Sequence, residues 1–205
     1  GDLWVMDTVL RDPKCVHGDT LTHERECVFA PDGSALYYLS DHGDGAALWR
    51  AERGDKAKFW WENKAFAKTV LLNDEVSRRS LSISPDGSRL AWIEPCGNLV
   101  VADTNGTVRT RCRKASGVDA YDWSPDGRWL VASLADDFSN YDVWLLPAEE
   151  GAGAPYNLSR HFSWDGQPCW SPDGKLIAFV GQRPNNETDL FSEREMQAYS
   201  KVEKT

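Results

Sequence analysis

Residues 123–134 read WSPDGRWLVASL, and this stretch decides the fold. Pro125 suits the second position of a type I turn because its ring fixes φ, Asp126 tolerates the third, and Gly127 supplies the left-handed residue from which a strand can return. Trp123 makes the entry to the turn apolar. The run after it has apolar residues on both of its faces, at Leu130 and at Val131, so a strand here must be covered on both sides. The same phrase recurs as FAPDG at 29–33, ISPDG at 83–87 and WSPDG at 170–174. The predicted hairpin corners are therefore Pro31, Asp32 and Gly33; Pro85, Asp86 and Gly87; Pro125, Asp126 and Gly127; and Pro172, Asp173 and Gly174. A carboxylate repeated at every tight turn is placed there for turn hydrogen bonding, not for catalysis.

The four prolines stand 54, 40 and 47 residues apart. Periods of about 40–50 residues holding several short strands are those of propeller blades. A second phrase recurs as DLWVM at 2–6, ALWRA at 47–51, NLVVA at 98–102, DVWLL at 142–146 and DLFSE at 189–193, and marks the third strand of each blade. KTVLLND, TVRTRCR and APYNLSR follow as fourth strands. The expected fold is an all-β propeller of four-stranded antiparallel blades, partial, with three whole blades and two part blades across 1–193. Residues 194–205 form a polar tail or the start of a linker. With five third strands and four first strands, an open arc fits better than a closed ring of four. Open blade edges of that kind are a route to self-association.

Composition removes several function classes. Lys and Arg total 23 against 32 Asp and Glu, a net charge of −9, with no basic cluster, so nucleic acid is not an expected partner. No apolar run is long enough to span a bilayer. The amino end, GDLWVMD, has neither an initiator Met nor a signal-like segment and reads as a mature or excised piece, with Gly1 as an expression scar. Cys15, Cys27, Cys96, Cys112 and Cys169 form no CxxC pair, which disfavours structural zinc and leaves room for one disulfide. Cys27 and Cys169 lie on strands entering the first and fourth turns, where a buried free thiol is expected. Ten Trp point to thick sheet-on-sheet packing.

Residues of potential chemistry are few. His17, His23, His42 and His161 lack metal-site spacing and read as solvated loop histidines. Asp41, Asp44, Asp136, Asp137 and Asp142 offer oxygens that could take calcium, but without the spacing of a calcium loop, and no cofactor is expected. Asp2, Asp142 and Asp189 each precede an apolar–aromatic pair, as a repeated structural hydrogen bond would require. KAKFWWENKAF at 56–66 is the most unusual stretch. It places Phe59, Trp60, Trp61 and Phe66 between a third and a fourth strand, where they either contact a partner or extended peptide or cover a blade edge.

SPDGKLIAFVG with TDLF, and SPDGRWLVASL with YDVWLLPA, resemble the tandem PD40 (WD40-like) repeats of TolB-like proteins, tricorn-type proteases and the propellers of prolyl-oligopeptidase relatives. The run from YDVWLLPA through NLSRHFSWDGQPCWSPDG to TDLF is most similar to the N-terminal propeller of tricorn-type serine peptidases. That resemblance implies a non-catalytic propeller that gates or filters peptides for a separate protease core. The alternative is a free-standing TolB-like interaction propeller of a bacterial envelope. No nucleophile motif such as GxSxG occurs, so no catalytic residue is assigned.

Overall fold

A computed structural model describes residues 1–9, 12–19, 21–42, 45–112, 117–136 and 139–182. They form sixteen strands and, among the described residues, no α-helix. Two compact units divide the chain, Gly1–Arg113 and Lys114–Thr205.

In the first unit, β1 (Leu3–Val5) and β2 (Lys14–His17) form a two-stranded sheet. Next comes a four-stranded sheet of β3 (His23–Phe29), β4 (Ala35–His42), β5 (Gly45–Arg53) and β6 (Phe66–Leu72), paired antiparallel in chain order. The strands β7 (Arg79–Ile83), β8 (Arg89–Glu94), β9 (Asn98–Asp103) and β10 (Val108–Cys112) repeat that order. In the second unit, β11 (Val118–Trp123), β12 (Trp129–Ala135), β13 (Tyr141–Pro147) and β14 (Tyr156–Asn157) repeat it again. β15 (Asp165–Trp170) and β16 (Ile177–Gly181) pair as a hairpin. The expected third strand at 189–193 and the tail at 194–205 lie outside the described residues.

All four PDG phrases are the turns between first and second strands. They close in one register: Phe29 faces Leu36, Ile83 faces Leu90, Trp123 faces Leu130, and Trp170 faces Ile177. The glycines have φ of 68°, 72°, 69° and 70°, the left-handed value the turn demands. Within the second turn Asp86 accepts the Ser88 amide at 3.0 Å and the Ser84 hydroxyl at 2.5 Å, and Ser84 Oγ in turn accepts the Arg89 amide. Asp126 and Asp173 repeat this set with Ser124 and Ser171. Ala30 replaces the serine in the first turn, where Asp32 keeps only the Ser34 amide of that set. The Ser84 hydroxyl foremost, helped by the Ser88 amide and hydroxyl, holds Asp86 below the usual carboxylate range. These aspartates are ionised acceptors within their own turns.

Why the second strands are apolar on both faces is visible in the first unit. Leu36 and Tyr38 point one way, into a core shared with Leu3, Val5 and Val16 of the two-stranded sheet. Tyr37 and Leu39 point the other way, against Leu90, Trp92, Val100 and Ala102 of the next sheet. The β3–β6 sheet is thus filling between its two neighbours in this unit. The linker into β7 is pinned by Arg78, which is almost fully buried. It donates to the Ala46 carbonyl at 2.6 Å and to both oxygens of Asp74 at 2.7 and 2.8 Å, with its guanidinium 5.8 Å from the Trp92 ring.

One recurrent feature has no plain sequence signal. Every first strand carries a bulge: between Arg25 and Val28, Arg79 and Ser82, Val118 and Tyr121, and Gly166 and Cys169. Three of them hold a non-glycine residue at positive φ, Glu26, Ser80 and Gln167, each five positions before its proline. Glu26 uses this turn-out to accept the Leu81 amide of β7 at 3.0 Å, joining two sheets of the first unit. In the second unit Asp122, which is paired in its ladder, accepts the Trp170 amide at 2.8 Å and joins β11 to β15.

The bulges also correct the thiol expectation. Cys27 falls in the unpaired residues of its bulge and is exposed, and Cys169 and Cys15 are exposed free thiols as well. The side chains of Cys96 and Cys112 lie outside the described residues.

Candidate functional site

The aromatic stretch sits on a loop between β5 and β6, and its local chemistry explains its shape. Gly54 and Ala65 close the base, the Gly54 amide donating to the Ala65 carbonyl at 3.0 Å. A Cβ on Gly54 would stand 2.7 Å from that carbonyl, so only glycine fits. Asn63 is the hub. Its side chain is buried, accepts the Asp55 amide at 2.8 Å and donates to the Phe59 carbonyl at 2.8 Å. Asp55 accepts the Ala57 amide, and Glu62 accepts the Phe59 amide at 3.0 Å, which starts a one-turn 3₁₀ helix, Trp60–Glu62. Arg53 ties down the Lys58 carbonyl at 2.8 Å. A loop so cross-linked is ordered before any ligand arrives.

The turn sends its three consecutive aromatic residues in different directions. Trp60 goes inward: its indole N–H donates to the Gly33 carbonyl at 2.8 Å, and its ring packs on Phe66 and edge-on to Phe29. Trp60 and Phe66 join the core that contains Leu36, Tyr38 and Ala51. For these two rings the covering role holds. Phe59 and Trp61 go outward and stack on each other, centroids 4.8 Å apart and planes within 1° of parallel, with Phe59 60% exposed. Beside them lies a recess of about 290 Å³ bordered by Asp55, Lys58, Glu62, Asn63 and Lys64.

The other candidates are occupied by structure. His17 and His161 are not solvated loop residues, because packing recruits both. His17 Nδ1 lies 3.0 Å from the Tyr38 hydroxyl and 3.5 Å from Glu24, with the ring against Trp49. Burial, reinforced by Lys68, lowers the His17 pKa, and burial raises that of Tyr38 well above its ordinary value. His161 is buried, its amide held by Asp142 and its ring against Phe162. His23 is exposed, and the side chain of His42 lies outside the described residues.

Both oxygens of Asp41 accept from the one Nε–H of Arg25, at 2.9 and 3.1 Å. Asp142 accepts from Asn157, Ser159 and the His161 amide, the structural hydrogen-bond role anticipated for it. Asp136 accepts the Asn140 amide. Asp44 and Asp137 lie outside the described residues, as does Asp189. Among the described residues no three His, Cys, Asp or Glu side chains converge as a metal would need. A cavity of about 590 Å³ in the second unit is lined by Asp126, Arg128, Trp129, Tyr156, Trp170 and Asp173. Its carboxylates are committed within their turns, which leaves no convergent pair for acid–base work. No helix among the described residues is long and apolar enough to cross a membrane.

Comparison with known proteins places the fold. No family model matches the chain. Over 161 residues the chain is 24% identical to a protein described as a tricorn-like protease C-terminal subunit from Sulfurisphaera tokodaii, covering 75% of this chain and 18% of that protein. The crystal structure of TolB from Acinetobacter baumannii superposes with a TM-score of 0.61 at 21% identity, over 91% of this chain and 44% of TolB. The crystal structure of the tricorn protease superposes at 0.62 with 11% identity, over 88% of this chain and 17% of that enzyme. The chain thus spans less than a fifth of the length of the curated relative it matches. The fold is that of TolB-like β-propellers, its four-stranded sheets are blades, and β1–β2 and β15–β16 are part blades.

Proposed function

We propose that this chain is a non-catalytic propeller region of a tricorn-like serine peptidase that gates or filters peptides on their way to a separate protease core. The observation that carries this is the alignment with the tricorn-like protease subunit over three quarters of the chain. The commitment of Asp32, Asp86, Asp126, Asp142 and Asp173, and of His17 and His161, to structural bonds is consistent with it. In the full-length protein, removing residues 1–205 should leave cleavage of short fluorogenic peptides intact and abolish discrimination against unfolded casein. A truncated enzyme that cleaves short peptides and still rejects casein would end the gating reading.

A second reading, a free-standing TolB-like interaction propeller, is favoured by the superposition on TolB over 91% of the chain. The gene sequence after Thr205 separates the two. A Ser/His protease core supports the first, and a stop codon soon after supports the second.

A further inference from the structure

We infer that the outward Phe59–Trp61 stack and the lysines around it form a docking platform for extended acidic peptides that carry aromatic or proline side chains. The inference rests on the peptide-handling reading and assigns the chemistry of the peptide.

The first support is that the rings are held outward by construction. Trp60 is locked inward by its bond to Gly33, and Asn63 fixes the loop backbone on both sides of the turn. The two neighbours of Trp60 therefore stay on the solvent side of the loop, Phe59 exposed and Trp61 half-buried, each covering one face of the other. Two large rings already stacked on a rigid loop lose little entropy when a third ring or a proline lies across them.

Charge supports the peptide's sign. Residues 53–64 carry Arg53, Lys56, Lys58 and Lys64 against Asp55 and Glu62, a local excess of +2 in a chain of net −9. The acidic pair is already engaged: Asp55 by the Ala57 amide and by Lys58 at 3.3 Å, Glu62 by the Phe59 amide. Lys56 reaches Glu52 only at 3.8 Å and is 78% exposed. Lys64 borders the recess beside the rings and is exposed. Lys58 and Lys64 line that recess together with Asp55 and Glu62. Because both carboxylates are already held by loop amides, an incoming carboxylate competes for the ammonium groups on better terms than a cationic side chain competes for the acids. An alternating acidic–aromatic strand fits both features at once. Successive side chains of an extended chain leave on opposite faces, so a strand laid edge-on along the loop turns one row to Phe59 and Trp61 and the other to the lysines.

The test uses the whole 205-residue chain and three ten-residue fluorescein-labelled peptides, alternating Glu with Tyr, Lys with Tyr, and Glu with Ser. Fluorescence anisotropy should show the Glu–Tyr peptide binding at least about tenfold more tightly than either of the others, because neither rings nor charge suffices alone. Phe59→Ala and Trp61→Ala should each weaken it about tenfold, and Lys64→Glu should weaken it and flatten its salt dependence. Phe59 and Lys64 are exposed and Trp61 is half-buried, and circular dichroism identical to the parent chain checks folding. Equal affinity for the Glu–Tyr and Lys–Tyr peptides, or unchanged affinity in both ring variants, overturns the platform. Gating fails on a different result, since loss of casein discrimination is read in the full-length peptidase. The platform stands if the loop variants lose the Glu–Tyr peptide whatever that enzyme does.

Discussion

Trp92 in β8 and Phe179 in β16 occupy one position in two copies of the same repeat, five residues after the glycine of their turns. Both lie on second strands that pair with their first strands in identical register. Trp92 is fully buried and Phe179 is 39% exposed; the next residues, Ile93 and Val180, are 0% and 52% exposed. β8 is flanked by β9 and by the core shared with β3–β6, while β16 has no further partner strand among the described residues. The hairpin is therefore a local product of Ser, Pro, Asp and Gly, whereas burial is supplied by third strands and by neighbouring blades. Turn and core are separable layers of one repeat.

Paired substitutions probe that separation. The largest effect belongs to the core. Trp92→Ala should cost about 3–5 kcal/mol, the range for a large buried aromatic, and should also strip the ring from beneath the Arg78 guanidinium. Phe179→Ala should cost less than about 1 kcal/mol, as partly exposed positions do. Urea titrations of both variants measure the difference. Equal losses would mean that β16 is covered as fully as β8, and the contrast would collapse.

At the turns the two regions should behave alike. Ser84→Ala and Ser171→Ala each delete a hydroxyl that donates to the turn carboxylate and accepts an amide across the hairpin, so each should cost about 1 kcal/mol. In the first turn, Asp32→Ala should cost less than Asp86→Ala, because Ala30 leaves Asp32 without the serine link. A large gap between Ser84→Ala and Ser171→Ala would show that the turn draws on its blade after all.

This layering also sets what could be read from residues alone. The PDG corners and third strands were legible because turn chemistry and two-faced apolar runs are local. The inward course of Trp60 was not, because its acceptor is the Gly33 carbonyl 27 residues away and its ring partners are Phe29 and Phe66. Of the four rings singled out in that stretch, only contacts distant in sequence separate the two that fill the core from the two that face solvent. The bulges escaped for a related reason. Glu26, Ser80 and Gln167 share no residue type, and the one inter-sheet bond made from these positions, Glu26 to the Leu81 amide, is to a residue 55 positions away. His17 was misplaced as a loop residue because Tyr38 and Trp49, which enclose it, come from the next sheet along the chain.

His17 provides the smallest and most selective test, since β1–β2 is a part blade that the neighbouring blade does cover on one face. Its ring is enclosed by Tyr38 and Trp49, with Glu24, Asp19 and Lys68 as the charged groups around it. Two influences oppose each other there. The Glu24 carboxylate 3.5 Å away favours the imidazolium, while burial and Lys68 favour the neutral ring. Burial is the larger, because taking the imidazolium out of water penalises it more than one carboxylate, already accepting from Ser40 and Thr22, can repay. The folded pKa is therefore depressed below the ordinary 6.5. The unfolded chain binds the proton more readily, so the His17 contribution is fully present above about pH 6.5 and is lost as pH falls through that value towards the depressed folded pKa. Hydrogen exchange of the β1 and β2 amides should accelerate between pH 7.5 and pH 5.5, after correction for intrinsic rates, while amides of β8 and β9 stay protected. His17→Gln keeps a polar group near Tyr38 without a titrating ring and should remove that pH dependence. Slower exchange of β1 and β2 at pH 5.5 would mean that Glu24 wins, and that the charged pair, not the neutral ring, holds the part blade in place.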